Sequence, residues 1–157
     1  MAAESKVREI DSVKPSIKSP DESSIKFDDA SCQKALNCAR VAIDKKAENM
    51  KILNLTDLSG FTDFFVVCSG ASDRQVQAIA DTVENEMHSK GHELVSKEGY
   101  SDGRWVLLDF GDVIVHIFME ALREYYDLEN LWADAPRVMI PSEFYGPGVT
   151  RVNRSSL

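Results

Sequence analysis

Positive charge is in short supply in this chain: 18 Lys and Arg stand against 26 Asp and Glu, a formal net charge of -8 over 157 residues. A surface that tracks a phosphate backbone shows itself as a basic excess, so direct sequence-specific binding to nucleic acid is disfavoured. Such an acidic chain is better suited to a basic protein partner, which it attracts over long range. Cysteine is scarce too. Cys32, Cys38 and Cys68 make an odd number with no CxxC pair, which argues against a disulfide framework and fits a reducing compartment. No apolar run approaches the roughly 20 residues a membrane span needs. The N-terminus has no hydrophobic signal core, and its acids argue against an organellar transit peptide. The expected location is the cytoplasm, with no membrane partner. The glycine motifs of phosphate chemistry, GxGxxG and GxxxxGKS/T, are also missing.

What is there is an ordinary globular composition, 43% hydrophobic and 28% charged, in a length that suits one domain. Residues 1–27 mix Lys, Ser, Asp, Glu and Pro without apolar periodicity and read as a disordered extension. In "DDASCQKALNCARVAIDKKA", Ala35, Leu36, Ala39, Ile43 and Ala47 recur at helical spacing. "NMKILNLT" then reads as a strand, "DLSGFTD" as a connection, and "FFVVCSG" as a short buried strand. The clearest helix is "DRQVQAIADTVENEMHSK": Ser72 or Asp73 caps it, Val76, Ile79, Ala80, Val83 and Met87 form one stripe, and Gly91 ends it. "HELVSKEGY" gives a further strand, "GRWVLLDFGDVIVHIF" a hairpin, and "EALREYYDLENLW" a last helix stopped before Pro136. Residues 136–157, with no sustained period, read as a loosely ordered C-terminal arm. Helices interspersed through a small mixed β-sheet indicate a single α/β (α+β) domain over residues 28–135.

Each motif with the residues for chemistry also has a plainer reading. "CSGASDR" places one glycine between a strand and a helix start, where free backbone N–H groups can hold an anion, yet a capped strand-to-helix turn accounts for it. Asp109 and Asp112 are the obvious pair for magnesium, but they flank the proposed turn and would not converge. His88 and His92 are separated by Gly91, which spoils an i,i+4 zinc arrangement. His116 reads as a hydrogen-bonded sheet histidine, and no GxSxG elbow supports a nucleophile. No cofactor and no metal are expected. An enzyme transferring a nucleotidyl or phosphoryl group with magnesium, through "SGASD" and Asp109/Asp112, remains the alternative reading.

The hairpin is the most informative stretch. A two-residue turn at Gly111-Asp112 puts Val106, Leu108, Phe110, Val113, Val115 and Ile117 on one uniformly apolar face. The other face carries Trp105, Leu107, Asp109, Ile114, His116 and Phe118. That mixture suits a protein-binding patch, and equally a sheet face covered by a helix.

Three ordered segments, "DFFVVCSGASDRQVQAIAD", "WVLLDFGDVIVHIF" and "REYYDLENLW", resemble the ribosomal silencing factor family, also called iojap-like proteins, from about Ser31 to Ala135. The resemblance implies a fold similar to nucleotidyltransferases without their catalytic carboxylates, and no enzymatic activity. It also implies a translation repressor that binds the large ribosomal subunit through its protein L-fourteen. The bound factor would block the small subunit and lower translation under nutrient limitation; homodimers are a further expectation. Carried over by position, the binding residues would include Trp105, Asp109, Phe110 and Tyr126. Leu107, Asp112 and Glu98 join them as apolar and acidic neighbours that would face a basic ribosomal protein. Gln75 stands where family members often carry His.

Overall fold

The computed structural model describes residues 29–146. The extension expected over residues 1–27 and the end of the C-terminal arm lie outside the described residues. The chain runs α1 (Ala30–Asp44), β1 (Glu48–Asn54), β2 (Phe64–Gly70), α2 (Asp73–Ser89), β3 (Ser96–Glu98), β4 (Trp105–Asp109), β5 (Val113–Met119), α3 (Glu120–Tyr126), α4 (Leu128–Leu131) and a 3-10 turn, Ser142–Tyr145. The strands form one five-stranded sheet in the order β1-β2-β5-β4-β3. Only the β2–β5 pairing is parallel. This is the mixed α+β domain expected from the element order.

Local chemistry explains the helices. Asp29 caps α1 through its side chain, which accepts the Ser31 N–H. In α2, Ser72 Oγ accepts the Gln75 N–H at 3.1 Å, and Gln75 Oε1 reaches back to the Ala71 N–H at 2.6 Å. This reciprocal capping satisfies donors that a helix start otherwise leaves open. Val76, Ile79, Ala80, Val83 and Met87 are the buried residues of α2, the same stripe the spacing predicts.

The sheet separates two cores. Even-numbered residues of β2 and β4 and odd-numbered residues of β5 face α1 and α2: Phe64, Val66, Cys68, Val106, Leu108, Val113, Val115 and Ile117. The opposite parity packs Phe65, Val67, Trp105, Leu107, Ile114 and Phe118 against Leu128, Trp132, Leu55 and Leu58. The turn register is as expected, with Asp109 opposite Ile114 and the Phe110 N–H donating to Val113 O at 2.9 Å. Gly111 has φ +91°, a left-handed value such a turn demands. At the other end of β4, Gly103 (φ +65°) lies so close to Asp73 that a Cβ would come within 2.9 Å of its side chain and carbonyl. The loop before β4 is thereby seated on the start of α2.

Two sequence expectations need correction. The last helix is broken: Asp127 adopts a left-handed conformation (φ 46°) that ends α3 and starts α4. Asp tolerates this conformation better than most residues, and the Asp127 N–H still donates to Arg123 O at 2.9 Å. The arm expected from residue 136 is not loose at its start. Arg137 bridges to Leu53, the Val138 N–H donates to Ile52 O at 2.9 Å, and Val138 and Ile140 are buried. Pairing with the free edge of β1 supplies order that no periodicity in the arm could announce.

Candidate protein-binding site

The hairpin's mixed face is covered, and its polar groups have assigned work. Trp105 is only 2% exposed. Its indole N–H donates to His116 Nδ1 at 3.2 Å. Its ring stacks on Phe118 with centroids 4.6 Å apart and meets Tyr126 at 4.8 Å. Leu107 and Phe110 are buried as well, Leu107 under this face and Phe110 in the opposite core. The buried Asp109 closes the turn, its Oδ1 accepting the Gly111 N–H at 2.8 Å. Asp112 turns the other way, to Lys34 of α1, whose Nζ donates to Asp112 Oδ1 at 2.6 Å and to Phe110 O at 3.0 Å. The two carboxylates are therefore held by different partners on opposite sides of the sheet.

Of the seven residues singled out in the sequence, Trp105, Leu107, Asp109 and Phe110 are buried, while Glu98, Asp112 and Tyr126 are partly accessible. Glu98 pairs with Leu107, and Ser96 with Asp109, so both β3 side chains share the Trp105 face. The structure brings Trp105, Leu107, Asp109, Glu98 and Tyr126 to that face. It does not bring Phe110 or Asp112 there.

His116 is fully buried, and desolvation pushes its imidazole down from 6.5 to about 3, so the ring is neutral. With Nδ1 accepting from Trp105, the remaining proton sits on Nε2. Burial also pushes the Cys38 and Cys68 thiols up to about 12, which leaves them poor nucleophiles.

Two residues, Arg123 and Tyr125, escape sequence reasoning, whereas the core reading of Trp132 holds. Arg123 is 8% exposed, donates to Ser69 Oγ at 2.9 Å and pairs with Glu129, tying α3 to β2 and α4 across the Asp127 break. Trp132, fully buried, caps the same core and meets Phe65 edge-on at 5.8 Å. Tyr125 is 79% exposed and meets Tyr126 edge-on at 5.1 Å. The only signal for Tyr125 is its neighbour Tyr126, because a helix of seven residues has too few turns for a period to say which tyrosine faces out.

Side chains around the start of α2 take up three of its backbone donors. Gln75 N–H goes to Ser72, Ala71 N–H to Gln75, and Arg74 N–H to Asp73 Oδ1 at 2.8 Å. Gln75 also donates through Nε2 to Lys46 O at 3.1 Å, which gives that side chain a structural role linking α2 to the turn after α1. A cleft of about 900 Å³ between β1 and the α3–α4 segment carries charges of both signs, among them Lys51, Glu120, Glu124, Asp127 and Arg137. Among the described residues no three His, Cys, Asp or Glu side chains group to hold a metal.

Comparison with known proteins agrees over most of the chain. The family described as "Ribosomal silencing factor during starvation" matches residues 28–155. A "Ribosomal silencing factor RsfS" from Halalkalibacterium halodurans is 48% identical over 107 residues, covering 68% of this chain and 92% of that protein. A protein of the same name from Bacillus subtilis is 45% identical over 93 residues, covering 59% of this chain and 79% of its own length. Among solved structures, a crystal structure of a protein from Bacillus halodurans superposes with a TM-score of 0.59 at 44% identity, covering 69% of this chain and 95% of that one.

Proposed function

The chain belongs to the ribosomal silencing factor family, and from that premise we propose that it represses translation by occupying the large ribosomal subunit. In this reading it binds ribosomal protein L-fourteen and stands where the small subunit would dock. Its cytoplasmic location and a homodimer belong to the same reading. The observation that carries it is the family match over residues 28–155, which spans the whole described fold.

The physics of the proposal is steric and needs no turnover. A chain of net charge -8 is drawn to a basic ribosomal protein, and the attraction speeds encounter more than it tightens the complex. Affinity then rests on a few aromatic anchors that lose water on contact. Tyr126, Glu98 and Asp112 are the candidates that reach solvent. Trp105, Leu107 and Asp109 support the Tyr126–Glu98 face from beneath, since they are buried there, while Phe110 packs in the opposite core. No membrane-crossing route is implied: no helix of the described residues is long and apolar enough to span a bilayer.

The test is co-sedimentation of the full chain with purified large subunits, followed by light scattering when small subunits and magnesium are added. Co-sedimentation with a drop in subunit joining is expected. Binding without inhibition would remove the steric mechanism, and absence of binding would remove the ribosomal assignment. An alternative enzymatic role predicts micromolar binding of ATP with magnesium, which calorimetry would detect.

A further inference from the structure

The second core contains a polar group that stability does not call for. His116 sits in the middle of β5 with Ile114 and Phe118 as its neighbours on the same face, and none of its surface is exposed. Its ring meets Phe65 edge-on at 4.6 Å and lies nearly parallel to Phe118 at 6.3 Å. Nε2, which must carry the ring's hydrogen, has no hydrogen-bond partner. An unpaired buried donor is costly; a leucine or phenylalanine would remove it, but would leave the Trp105 N–H without its acceptor. The one thing imidazole supplies here is an acceptor for the indole N–H of Trp105.

That acceptor fixes more than one side chain. A buried tryptophan needs a partner for its N–H, and the direction of that bond sets the plane of the ring. The Trp105 ring is the surface against which Tyr126 lies, at 4.8 Å, and Tyr126 in turn meets Tyr125 edge-on at 5.1 Å. The contacts run without interruption from a fully buried histidine to a tyrosine that is 79% exposed. Glu124 and Asp127, both exposed, flank the Tyr125–Tyr126 pair in sequence, and the adjoining cleft carries Glu120 and Glu129 together with the cations Lys51 and Arg137. Arg123, the nearby cation of this helix, is already engaged by Glu129 and Ser69. A tyrosine face beside carboxylates is complementary to a guanidinium or ammonium group.

We infer that Tyr125 is a direct contact residue for a basic protein surface, and that His116 is a positioning residue which presents the Tyr126–Tyr125 pair by orienting Trp105. This rests on the ribosomal reading above and assigns the part of the surface that makes the contact. A ring held in its bound geometry before encounter loses less freedom on binding, so the benefit of His116 appears in affinity and not in stability.

The experiment is a binding titration of the full chain on purified large subunits, with thermal unfolding of every variant. Tyr125→Ala removes an exposed ring and is expected to leave unfolding unchanged while weakening binding by about tenfold or more. His116→Leu removes one orphaned donor, Nε2, and creates another, the Trp105 N–H, so it is expected to unfold close to the wild type and to bind about fivefold to tenfold more weakly, because the indole N–H has lost its acceptor. His116→Asn keeps an oxygen close to the position of Nδ1 while shrinking the side chain. It is expected to be less stable than His116→Leu yet to bind better. A purely structural role for His116 predicts the reverse order in affinity, with the less stable Asn variant the weaker binder. Wild-type binding accompanied by unchanged Tyr125→Ala affinity, or by equal affinities for the two His116 variants, overturns this inference alone. If the wild type fails to bind large subunits, the ribosomal reading itself fails and this inference with it.

Discussion

The two faces of the sheet are built from the same three central strands and yet differ in kind. The α1–α2 face is filled by Val, Ile, Ala, Leu and Phe side chains under two helices of 15 and 17 residues. The opposite face has only the short α3 and α4, of seven and four residues, and carries Trp105, Asp109, His116, Arg123 and Trp132. Of the six unpaired buried side-chain polar atoms among the described residues, four lie there: His116 Nε2, Trp132 Nε1, and, by register, Ser96 Oγ and Glu98 Oε2; Ser31 Oγ belongs to α1. One face does the work of holding the fold, and the other spends some of that stability on fixed polar and aromatic geometry.

Paired truncations on the two faces sharpen that contrast, and they should give the largest effects. Ile79→Ala in α2, fully buried, is expected to cost about 2–5 kcal/mol in urea unfolding, with the affinity of the folded fraction for large subunits unchanged. Trp105→Ala is expected to cost about 3–5 kcal/mol in unfolding and to lower affinity as well. Equal affinity losses in both variants would dissolve the division of labour between the faces.

A pH series gives an intermediate effect that belongs to one face only. The folded His116 imidazole titrates near 3 and the unfolded one near 6.5, so the unfolded state binds the extra proton between those values. The contribution is fully present above pH 6.5 and is lost as the pH falls through this window. Well below pH 6.5 the slope is roughly 1.4 kcal/mol per pH unit, before carboxylates add their own dependence. Urea midpoints measured from pH 7 to 4 should therefore fall less steeply in His116→Leu than in the wild type. Parallel curves for the two proteins would place the acid sensitivity elsewhere.

The smallest effect is expected at the turn. Asp112→Ala removes the pair with Lys34, whose Asp112 side chain is 38% exposed, and should cost no more than about 1 kcal/mol in unfolding. A larger loss would mean that the pair between α1 and the hairpin tip governs the seating of the first face.

Much of the first face was readable because period and burial coincide there. The Val76–Met87 stripe, the "FFVVCSG" strand and the 111–112 turn depend on local spacing and turn chemistry, which neighbouring residues specify. The second face was only half readable. Alternation placed Trp105, Leu107, Asp109 and His116 on one side, but left open whether solvent, a partner or a helix covered them. The covering residues, Leu128 and Trp132, lie beyond the left-handed Asp127, at the start and just past the end of a helix too short to show a period. The arm was misread for a related reason: Arg137 and Val138 gain order from the edge of β1, more than 80 residues earlier in the chain.

By itself, then, the sequence determined the element order, the parity of the central strands, the hairpin register and the family. All of these follow from contacts between near neighbours or from motifs in fixed order. Only the tertiary structure decided that Trp105 is a buried support and Tyr125 an exposed ring, and that Asp109 and Asp112 are held by separate partners. Exposure and hydrogen bonding at those residues depend on which distant segment packs against them, and that is set by the three-dimensional arrangement of α1, α3 and α4 around the sheet.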